Sequence, residues 1–226
     1  VIIPARGGSK RIPKKNIKPI AGKQMLRWPL EELLGVFDEK QIIVSTDDDE
    51  IKKLAKRCGI SSSYSRPPHL ADDFVGTEEV AADALKWYEA NHHEVDFVFV
   101  VYPTAVRLQI AMLKSAFEQI KKDTSYEKVI TVSRFRHPIE RAFLIDSEKR
   151  IRMADPQFAM TRSQDLSDKY YDAGQFYLYK KHLLYKKGAG ESVSIALILD
   201  PLHSIDIDTE EDLGLAEALM KIYKPF

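Results

Sequence analysis

Short apolar runs alternate with longer amphipathic stretches through the first 132 residues of the chain. The apolar runs are rich in Val, Ile and Phe and predict strands over Val1–Ala5, Gln41–Ser45, Phe97–Tyr102 and Lys128–Val132. The amphipathic stretches predict helices over Met25–Leu34, Asp49–Cys58, Glu78–Glu89 and Leu108–Lys121. Such alternation is typical of βαβ crossovers, so we expect a three-layer α/β fold in which helices cover both faces of a mostly parallel sheet.

The alternation stops in the middle of the chain. Short extended pieces, such as Arg141–Ile145 and Gln175–Tyr179, lie there among polar turns, and no long helix is predicted. We interpret residues 133–179 as an inserted β arm on an α/β domain formed by residues 1–132 and 180–226. An excursion rich in strands exposes edges and apolar side chains that need covering, and a second copy of the chain is the commonest cover. We therefore expect a homodimer whose arms pack together.

Regular alternation resumes near the end of the chain, with strands over Ser194–Leu199 and Ser204–Asp208 and a closing helix that Thr209 caps. Side chains two residues apart on a strand point to the same face, so the carboxylates of Asp206 and Asp208 should project together. Two like charges that close are costly unless a cation lies beside them, and Mg²⁺ suits one or two protein carboxylates. The alternative is that Asp208 belongs to the helix cap and Asp206 is merely solvated.

A glycine pair and five basic residues lie within residues 6–16, directly after the first predicted strand. Gly7 and Gly8 allow backbone N–H groups to approach an anion closely, and the clustered cations neutralise it. The stretch fits neither the Walker A pattern nor the Gly-x-Gly-x-x-Gly pattern. We interpret it as a nucleotide-phosphate loop, with a basic surface turn as the alternative.

Three loops should meet at one edge of the sheet, because ligands of such folds bind beyond the carboxyl ends of the parallel strands. These loops are Arg6–Lys15, Ser45–Asp48 and Tyr102–Thr104. A further loop over Ser65–Asp73, stiffened by two prolines, carries Arg66. It forms either a wall of the nucleotide pocket or an ordinary surface loop.

Several other polar residues have simpler interpretations. Thr77 either donates its hydroxyl to a ligand or caps the helix that follows it, and both readings stay open. The acidic run Asp47–Asp49 most simply caps the next helix. Cys58 is the single cysteine, which excludes an intramolecular disulfide, and its helical spacing with apolar residues indicates a buried structural thiol.

Lysine plus arginine and aspartate plus glutamate number 34 each, so the chain has no net charge. A general nucleic-acid binder would show a basic excess, and this class is therefore not expected. A local basic cluster in a neutral protein instead suits a small anionic ligand. No apolar run approaches the roughly 20 residues that span a bilayer, so we expect a cytoplasmic protein without a membrane partner.

Taken together, these stretches resemble the cytidylyltransferases that activate nine-carbon 2-keto sugar acids, the CMP-sialic acid synthetase superfamily, and within it the pseudaminic acid branch. The similarity extends nearly from end to end. It rests on the stretches Ile3–Pro13, Val44–Asp48, Arg66–Pro67, Leu70–Asp73, Tyr102–Thr104, Thr161–Leu166, Asp172–Phe176 and Asp206–Thr209. The opening stretch is specific to the superfamily, and Tyr-Pro-Thr with Asp-Ala-Gly-Gln-Phe indicates the branch.

The resemblance implies a Rossmann-like nucleotidyltransferase fold and the transfer of CMP from CTP to the anomeric hydroxyl of a nonulosonic acid, with release of pyrophosphate. Pseudaminic acid is the expected acceptor, and N-acetylneuraminate or legionaminate is the alternative. Another nucleotide-sugar pyrophosphorylase and a catalytically silent nucleotide-binding protein are further alternatives, although the Asp206/Asp208 pair argues against the silent one. Members of the superfamily are dimers in which a β arm reaches toward the partner's active site, which agrees with the irregular segment 133–179.

The resemblance also implies roles for particular residues. The expected nucleotide-binding residues are Arg6, Gly7, Gly8, Ser9, Lys10, Asn16, Arg66, Thr77 and Tyr102. The expected catalytic residues are Lys10, Lys15, Asp206 and Asp208, of which the two aspartates would bind Mg²⁺. The residues expected to line the sugar-acid side are Arg141, Arg162 and Gln175.

Overall fold

The computed structural model of the protein describes residues 1–72, 74–186 and 192–222, so Asp73 of the predicted pocket loop lies outside the described residues. The strands are β1 (Ile2–Pro4), β2 (Pro19–Ile20), β3 (Lys23–Gln24), β4 (Ile43–Ser45), β5 (Phe97–Val101), β6 (Lys128–Arg134), β7 (Phe143–Ile145), β8 (Ile151–Met153), β9 (Tyr170–Lys180) and β10 (Ser194–Ile198). The α-helices are α1 (Arg27–Leu34), α2 (Asp49–Arg57), α3 (Thr77–Asn91), α4 (Ile110–Lys122), α5 (Lys181–Tyr185) and α6 (Glu210–Ile222). The ends of α1 to α4 differ from the predicted ends by at most two residues. Across the described part of the chain, none of the helices has the length and apolarity that a bilayer crossing requires.

Six strands form the central sheet, in the order β10-β6-β9-β5-β1-β4. β1 pairs in parallel with β4 and with β5, and β10 pairs in parallel with β6. β9 runs antiparallel to both of its neighbours, β5 and β6. The prediction of a mostly parallel sheet is therefore confirmed, with one reversed strand inside it.

Both faces of this sheet are buried under helices. The consecutive residues Ile2 and Ile3 of β1 are almost fully buried, but they pack into different clusters. The cluster around Ile3 includes the apolar sides of α1, α2 and α4, whereas the cluster around Ile2 includes those of α3 and α5. Because side chains alternate along a strand, each strand feeds both layers. The three-layer α/β fold is confirmed.

The two ends of the chain meet in a third cluster. Ile12 and Ile20 pack there with Ile207 and with Leu213 of α6, and all four side chains are buried. The loop that follows β1 is therefore fixed against the segment that carries the predicted aspartate pair.

The predicted strand over Ser204–Asp208 is wrong, because this segment pairs with no strand of the described sheets. Its carbonyl groups accept hydrogen bonds from side chains instead. The amide of Gln175 donates to the carbonyl of Ile205 (3.1 Å), and the ammonium of Lys15 donates to that of Ile207 (2.7 Å). These bonds satisfy backbone groups that a neighbouring strand would otherwise satisfy.

The segment predicted as an arm, residues 133–179, has different limits in the structure. β6 extends to Arg134, and the 11-residue strand β9 lies inside the central sheet. Only residues 135–169 lie outside that sheet, and they contain the β7–β8 hairpin, in which Phe143 pairs with Met153. The sequence pattern does not reveal that β9 belongs to the central sheet, because its pairing partners β5 and β6 lie far away along the chain.

A β-bulge interrupts the pairing of β6 with β9. Ile130 pairs with Tyr177, and the next pair is Val132 with Asp172. A step of two residues along β6 therefore matches a step of five residues along β9. Gly174 lies in the extra stretch with a φ of +59°, a conformation that glycine adopts without steric cost. Since β9 is antiparallel, the bulge lies near the edge of the sheet at which β1 and β5 end.

Thr131 holds the bulge together. Its buried hydroxyl donates to the carbonyl of Phe176 (2.8 Å) and accepts from the N–H of the same residue (3.2 Å). We expect Thr131→Val to lower the free energy of unfolding by about 2–3 kcal/mol, because two buried backbone groups lose their partner. Thr131→Ser keeps the hydroxyl and should cost about 1 kcal/mol. Urea denaturation measures both variants, and equal losses would contradict the role of the hydroxyl.

Candidate functional site

A cavity of about 710 Å³ opens at the carboxyl ends of β1 and β5. The predicted site residues that line it are Arg6, Ser9, Lys10, Lys15, Asn16, Arg66, Thr77, Tyr102, Asp206 and Asp208. The loops after β1 and β5 therefore meet at the cavity as predicted, whereas the loop Ser45–Asp48 contributes no lining residue and contacts the glycine loop instead. Leu70 and Asp72, together with Arg66, place the loop Ser65–Asp73 in the cavity wall rather than on the open surface. The other lining residues, for which no individual role is predicted, are Pro4, Arg11, Val75, Val80, Pro103, Thr104, Asp172, Gly174 and Tyr177.

The glycine loop is held by the loop that follows β4. The N–H of Gly7 donates to the carboxylate of Asp47 (3.0 Å). A Cβ at Gly7 would lie only 2.6 Å from a carboxylate oxygen of Asp48 and 2.8 Å from its Cβ. Asp48 caps α2 as predicted, since its carboxylate accepts from the N–H groups of Glu50 and Ile51. Glycine is thus needed at position 7 so that two loops can approach each other.

Two basic side chains of the loop after β1 bind Asp208. Lys15 contacts one carboxylate oxygen (3.1 Å), and Arg11 contacts the other (2.7 Å). Only 17% of the Lys15 side chain is exposed, so solvent screens this ion pair less than it screens a surface pair. The loop therefore carries its positive charge directly to the aspartate pair.

The alternative in which Asp208 caps the last helix is wrong. The N–H of Asp212 donates to the hydroxyl of Thr209 (3.2 Å), and the carboxylate of Asp212 accepts from the N–H of Thr209 (2.8 Å). This reciprocal arrangement is a capping box, and it confirms Thr209 as the cap. The side chain of Asp208 faces the cavity instead.

Asp206 lies beside Asp208 in the cavity lining, and Ile207 between them is fully buried. Removal from water, followed by the negative charge of Asp208, raises the pKa of Asp206 to about 6, and Lys15 offsets only part of this effect. The residue keeps surface open to the cavity, but protein atoms and like charge surround its carboxyl group.

The donor set of the pair fits a hard divalent cation. Asp206 and Asp208 present carboxylate oxygens to one cavity, and a cation there would relieve the repulsion that raises the pKa of Asp206. Over residues 1–72, 74–186 and 192–222, no cluster of three or more His, Cys, Asp or Glu side chains is arranged to hold a metal. An ion at the pair would complete its shell with water and phosphate oxygens, which is the usual arrangement of Mg²⁺.

Arg66 and Asn16 form buried parts of the cavity wall. The guanidinium of Arg66 donates to the hydroxyl (3.1 Å) and the carbonyl (2.7 Å) of Ser45. The amide of Asn16 donates to the carbonyl of Arg6 (2.9 Å). Both side chains therefore fix neighbouring loops in addition to lining the cavity.

A group of hydroxyl side chains forms another part of the wall. The hydroxyl groups of Thr77 and Tyr102 are 2.7 Å apart, and the hydroxyl of Tyr177 donates to the carboxylate of Asp172. Burial raises the pKa of Tyr102 and of Tyr177, so both hydroxyl groups stay protonated at neutral pH. The cap of α3 is Gly76, so the hydroxyl of Thr77 serves the cavity rather than the helix end.

Five residues expected in the nucleotide and sugar sites lie outside the cavity lining, and three of them, Gly7, Gly8 and Gln175, belong to the glycine loop and to β9. Gly7 packs against Asp48, and Gly8 is exposed. Gln175 is buried, and its amide holds the carbonyl of Ile205. Gly7 and Gln175 therefore support residues of the lining and do not form it.

The two arginines expected on the sugar-acid side also lie outside this cavity. Arg141 donates to the hydroxyl of Ser163 (3.3 Å), and Arg162 pairs with Asp165 (2.8 Å). Both arginines are exposed and belong to residues 135–169, outside the central sheet. A single chain does not bring them to the cavity.

Sequence reasoning missed Asp172, Gly174 and Tyr177 as lining residues. A Cβ at Gly174 would lie 2.8 Å from a carboxylate oxygen of Asp206, so glycine lets β9 pass close to the aspartate pair. The available signal was an acid and a glycine that interrupt an apolar strand in the stretch Asp172–Phe176.

Comparisons with known sequences agree on one family. A family model described as Cytidylyltransferase matches residues 1–223. The pseudaminic acid cytidylyltransferase of Campylobacter jejuni is 35% identical, over 98% of this chain and 95% of its own length. A Helicobacter pylori protein named pseudaminic acid cytidylyltransferase and UDP-2,4-diacetamido-2,4,6-trideoxy-beta-L-altropyranose hydrolase is 36% identical, over 91% of this chain and 39% of its own length. N-acylneuraminate cytidylyltransferase A of Danio rerio is 30% identical, over 96% of this chain and 49% of its own length.

Solved structures share the fold. A CMP:2-keto-3-deoxy-manno-octonic acid synthetase in complex with CTP superposes with a TM-score of 0.67 at 17% identity, over 98% of this chain and 97% of that one. A 4-diphosphocytidyl-2C-methyl-D-erythritol synthase from Anaerococcus prevotii superposes with a TM-score of 0.61 at 15% identity, over 97% of this chain and 96% of that one. The fold is that of the nucleotidyltransferases, the class to which cytidylyltransferases belong. The chain belongs to the cytidylyltransferase family.

We expect Gly7→Ala to lower the free energy of unfolding by about 1–3 kcal/mol, because the new methyl group must displace Asp48 from the cap of α2. Gly8→Ala is the matched control. Among the described residues, nothing lies within 4 Å of the methyl group that it adds, so the change should stay within about 0.5 kcal/mol. Chemical denaturation followed by circular dichroism measures both, and equal stabilities would contradict the packing role of Gly7.

Proposed function

We propose that the protein transfers CMP from CTP to the anomeric hydroxyl of pseudaminic acid, a nine-carbon 2-keto sugar acid, and releases pyrophosphate. The observation that carries this proposal is the meeting of the basic glycine loop with Asp206 and Asp208 in one cavity. Such a loop suits a triphosphate, and paired carboxylates suit the divalent ion that accompanies it. The 35% identity to the Campylobacter jejuni enzyme over nearly the whole chain supports pseudaminic acid as the acceptor.

N-acetylneuraminate or legionaminate is the alternative acceptor. The 30% identity to the N-acylneuraminate cytidylyltransferase of Danio rerio supports it. Each acceptor has the same two functional groups for recognition and reaction, a carboxylate and an anomeric hydroxyl. The residues assigned to CTP would therefore serve any of them, and the choice of sugar depends on the rest of the cavity.

We assign the CTP phosphates to the cationic part of the lining. The residues in this role are Arg6, Ser9, Lys10 and Lys15, with Arg11 added because it contacts Asp208. The residues assigned to the cytidine are Asn16, Arg66, Thr77 and Tyr102. Gly7 and Gly8 allow the backbone of the loop to turn tightly, and the N–H of Gly7 holds the loop by donating to Asp47.

Asp206 and Asp208 are assigned to the divalent ion. When bound there, Mg²⁺ supplies positive charge beside the α-phosphate and stabilises the charge that develops during transfer. Lys10 and Lys15 neutralise the charge that gathers on the leaving pyrophosphate. The protein forms no bond to the substrate in this scheme, because phosphoryl chemistry depends mainly on positioning and on charge stabilisation.

The arm, now limited to residues 135–169, is assigned to contacts in a homodimer. Phe143, Ile145, Ile151 and Met160 expose between 56% and 94% of their surfaces. Ile145 and Ile151 pair across the β7–β8 hairpin, so their side chains form one apolar surface. A second copy of the chain is the commonest partner for such a surface.

Dimerisation also supports a role for the two arginines of the arm. Arg141 and Arg162 lie outside the cavity of their own chain, on the segment assigned to the dimer contact. Each guanidinium matches a carboxylate with two parallel hydrogen bonds. We assign them to the carboxylate of the sugar acid in the partner's cavity.

The wild-type protein should release pyrophosphate from CTP only when a nonulosonic acid and a divalent cation are both present. Asp206→Asn and Asp208→Asn should each lower turnover by roughly a hundredfold or more and change CTP affinity far less, since the pair acts on developing charge. A coupled pyrophosphate assay gives turnover, and calorimetry gives affinity.

Asp49→Asn is the control for this experiment, because Asp49 is exposed on α2 and lies outside the cavity lining. Turnover that persists in a chelator, or a preference for ATP or UTP, would contradict the proposed function. Near wild-type turnover in one aspartate variant would remove that residue as a metal ligand.

Arg141→Lys and Arg162→Lys should weaken binding of the sugar acid and spare CTP, because lysine cannot pair bidentately with a carboxylate. The complementary experiment mixes inactive Arg162→Ala subunits with inactive Asp206→Asn subunits. If the arm serves the partner's cavity, half of the randomly assembled dimers contain one intact site, and about a quarter of the wild-type activity returns.

No activity from the mixture would contradict the exchange of arms between subunits. A monomer with full activity would contradict the dimer itself, and analytical ultracentrifugation at assay concentration tests that point. Arg150→Lys is the matched control, since Arg150 lies on the same arm and pairs with Asp146.

A further inference from the structure

We propose that Asp172 is the general base that takes the proton from the anomeric hydroxyl of the sugar acid, and that Tyr177 positions its carboxylate. This inference rests on the proposed transfer of CMP and supplies a group that the transfer needs. Among the residues assigned above, Asp206 and Asp208 are taken up by the divalent ion, and the others are cations, hydroxyl groups or amides.

The charged groups follow one another along the cavity wall. Arg11 and Lys15 contact Asp208 at one end. Asp206 comes next, and one of its carboxylate oxygens lies 2.8 Å from the position of a Cβ on Gly174. The backbone of β9 at Gly174 thus lies directly beside Asp206, whereas Arg11 and Lys15 contact Asp208.

Asp172 is attached to that same piece of backbone. The N–H of Gly174 donates to its carboxylate (3.0 Å), so Gly174 lies between the carboxyl groups of Asp172 and Asp206. The order along the wall is therefore cations, Asp208, Asp206 and then Asp172.

This order matches the geometry of an in-line displacement, in which the attacking and leaving oxygens lie on opposite sides of the phosphorus. The pyrophosphate leaves toward the cationic end, where Arg11 and Lys15 lie. The α-phosphorus lies at the aspartate pair, and the hydroxyl of the sugar acid enters from the far side. Asp172 is the carboxylate on that side, whereas Asp72, the remaining acid of the lining, lies beside Arg6 on the phosphate side.

The carboxylate of Asp172 is available to accept a proton. Asp172 is exposed toward the cavity, and its two oxygens accept one hydrogen bond each, from the N–H of Gly174 and from the hydroxyl of Tyr177. Each carboxylate oxygen has two acceptor sites, so each keeps one for the substrate.

The step balances without a further reactant. The O–H bond of the anomeric hydroxyl breaks, and its proton passes to a carboxylate oxygen of Asp172. The oxygen's electron pair forms the new bond to the α-phosphorus. The bond from phosphorus to the bridging oxygen breaks, and its electrons leave with pyrophosphate.

Tyr177 holds the base in place from the same strand. Its hydroxyl donates to Asp172, and the ammonium of Lys128 lies 4.7 Å from the centre of its ring. The same ammonium lies 4.7 Å from the ring centre of Tyr179, two residues further along the strand. The hydroxyl of Tyr179, however, donates to Glu78 (3.2 Å). Tyr179 is therefore a matched control, with the same strand and cation but a different acid.

Asp172→Asn should lower kcat at least about a hundredfold with pseudaminic acid and leave the Mg²⁺ concentration for half-maximal turnover unchanged, because the base acts only on the acceptor. Formate should restore part of the turnover of Asp172→Ala by replacing the missing carboxylate. Asp123→Asn is the control, since Asp123 also accepts from the N–H two residues ahead (2.8 Å) but lies outside the cavity lining, and its kcat should stay near wild type.

The outcomes separate this inference from the proposed function. Wild-type pyrophosphate release with near wild-type turnover of Asp172→Asn overturns the base and leaves CMP transfer intact. A higher Mg²⁺ concentration for half-maximal turnover in that variant also overturns it, because Asp172 would then hold the ion. A wild-type protein that releases no pyrophosphate with any nonulosonic acid overturns the proposed function and the base together.

The positioning role of Tyr177 is tested by a double-mutant cycle. Tyr177→Phe should lower kcat by about tenfold, the worth of one hydrogen bond in the transition state, with the KM for CTP unchanged. In the Asp172→Asn background the same change should have no further effect, since there is no base left to position. Tyr179→Phe should leave kcat near wild type. Independent, additive losses from Tyr177→Phe and Asp172→Asn overturn the positioning role.

Discussion

The concentration of like charge at one edge of the sheet is the constraint on which the rest of the structure depends. Asp206 and Asp208 lie side by side, and burial together with the charge of Asp208 raises the pKa of Asp206 to about 6. Neighbouring positive charge lowers the electrostatic cost of such a pair. Lys15 and Arg11 supply that charge from a loop nearly the whole length of the chain away, since Lys15 and Asp208 are 193 residues apart. This contact joins the ends of the chain and completes the cavity.

The reversed strand β9 adds the second half of the site. A sheet made only of parallel strands would bring loops alone to its carboxyl edge, whereas β9 brings the start of a strand there. The hydroxyl of Thr131 satisfies the backbone of the bulge, and Gly174 gives the bulge a conformation that other residues rarely adopt. The result is a strand that passes close to Asp206 and presents Asp172 to the cavity. Fold and site are thus linked through one irregular piece of sheet.

Local sequence patterns predict much of this architecture, including the alternating layers and the arrival of the basic glycine loop and the aspartate pair at one edge of the sheet. The position of β9 is different, because its pairing with β5 and β6 is a long-range contact that no local pattern reveals. The bulge then changes which residues face the cavity, so that Gly174 lines it and Gln175 faces the interior. Residues 204–208 resemble a strand in sequence, but Gln175 and Lys15 satisfy their carbonyl groups in place of a neighbouring strand. Arg141 and Arg162 are predicted at the sugar-acid side from resemblance alone, and in the single chain they lie outside the cavity.

The central claim is that the cavity directs attack to the α-phosphorus of CTP. Turnover of CTP labelled separately at the α- and γ-phosphorus, with pseudaminic acid as the acceptor, tests this most directly. The account predicts that the α-label appears in a conjugate with the sugar acid and that the γ-label appears in pyrophosphate. Transfer of the γ-label to the sugar, or its release as inorganic phosphate with no α-labelled conjugate, would contradict it.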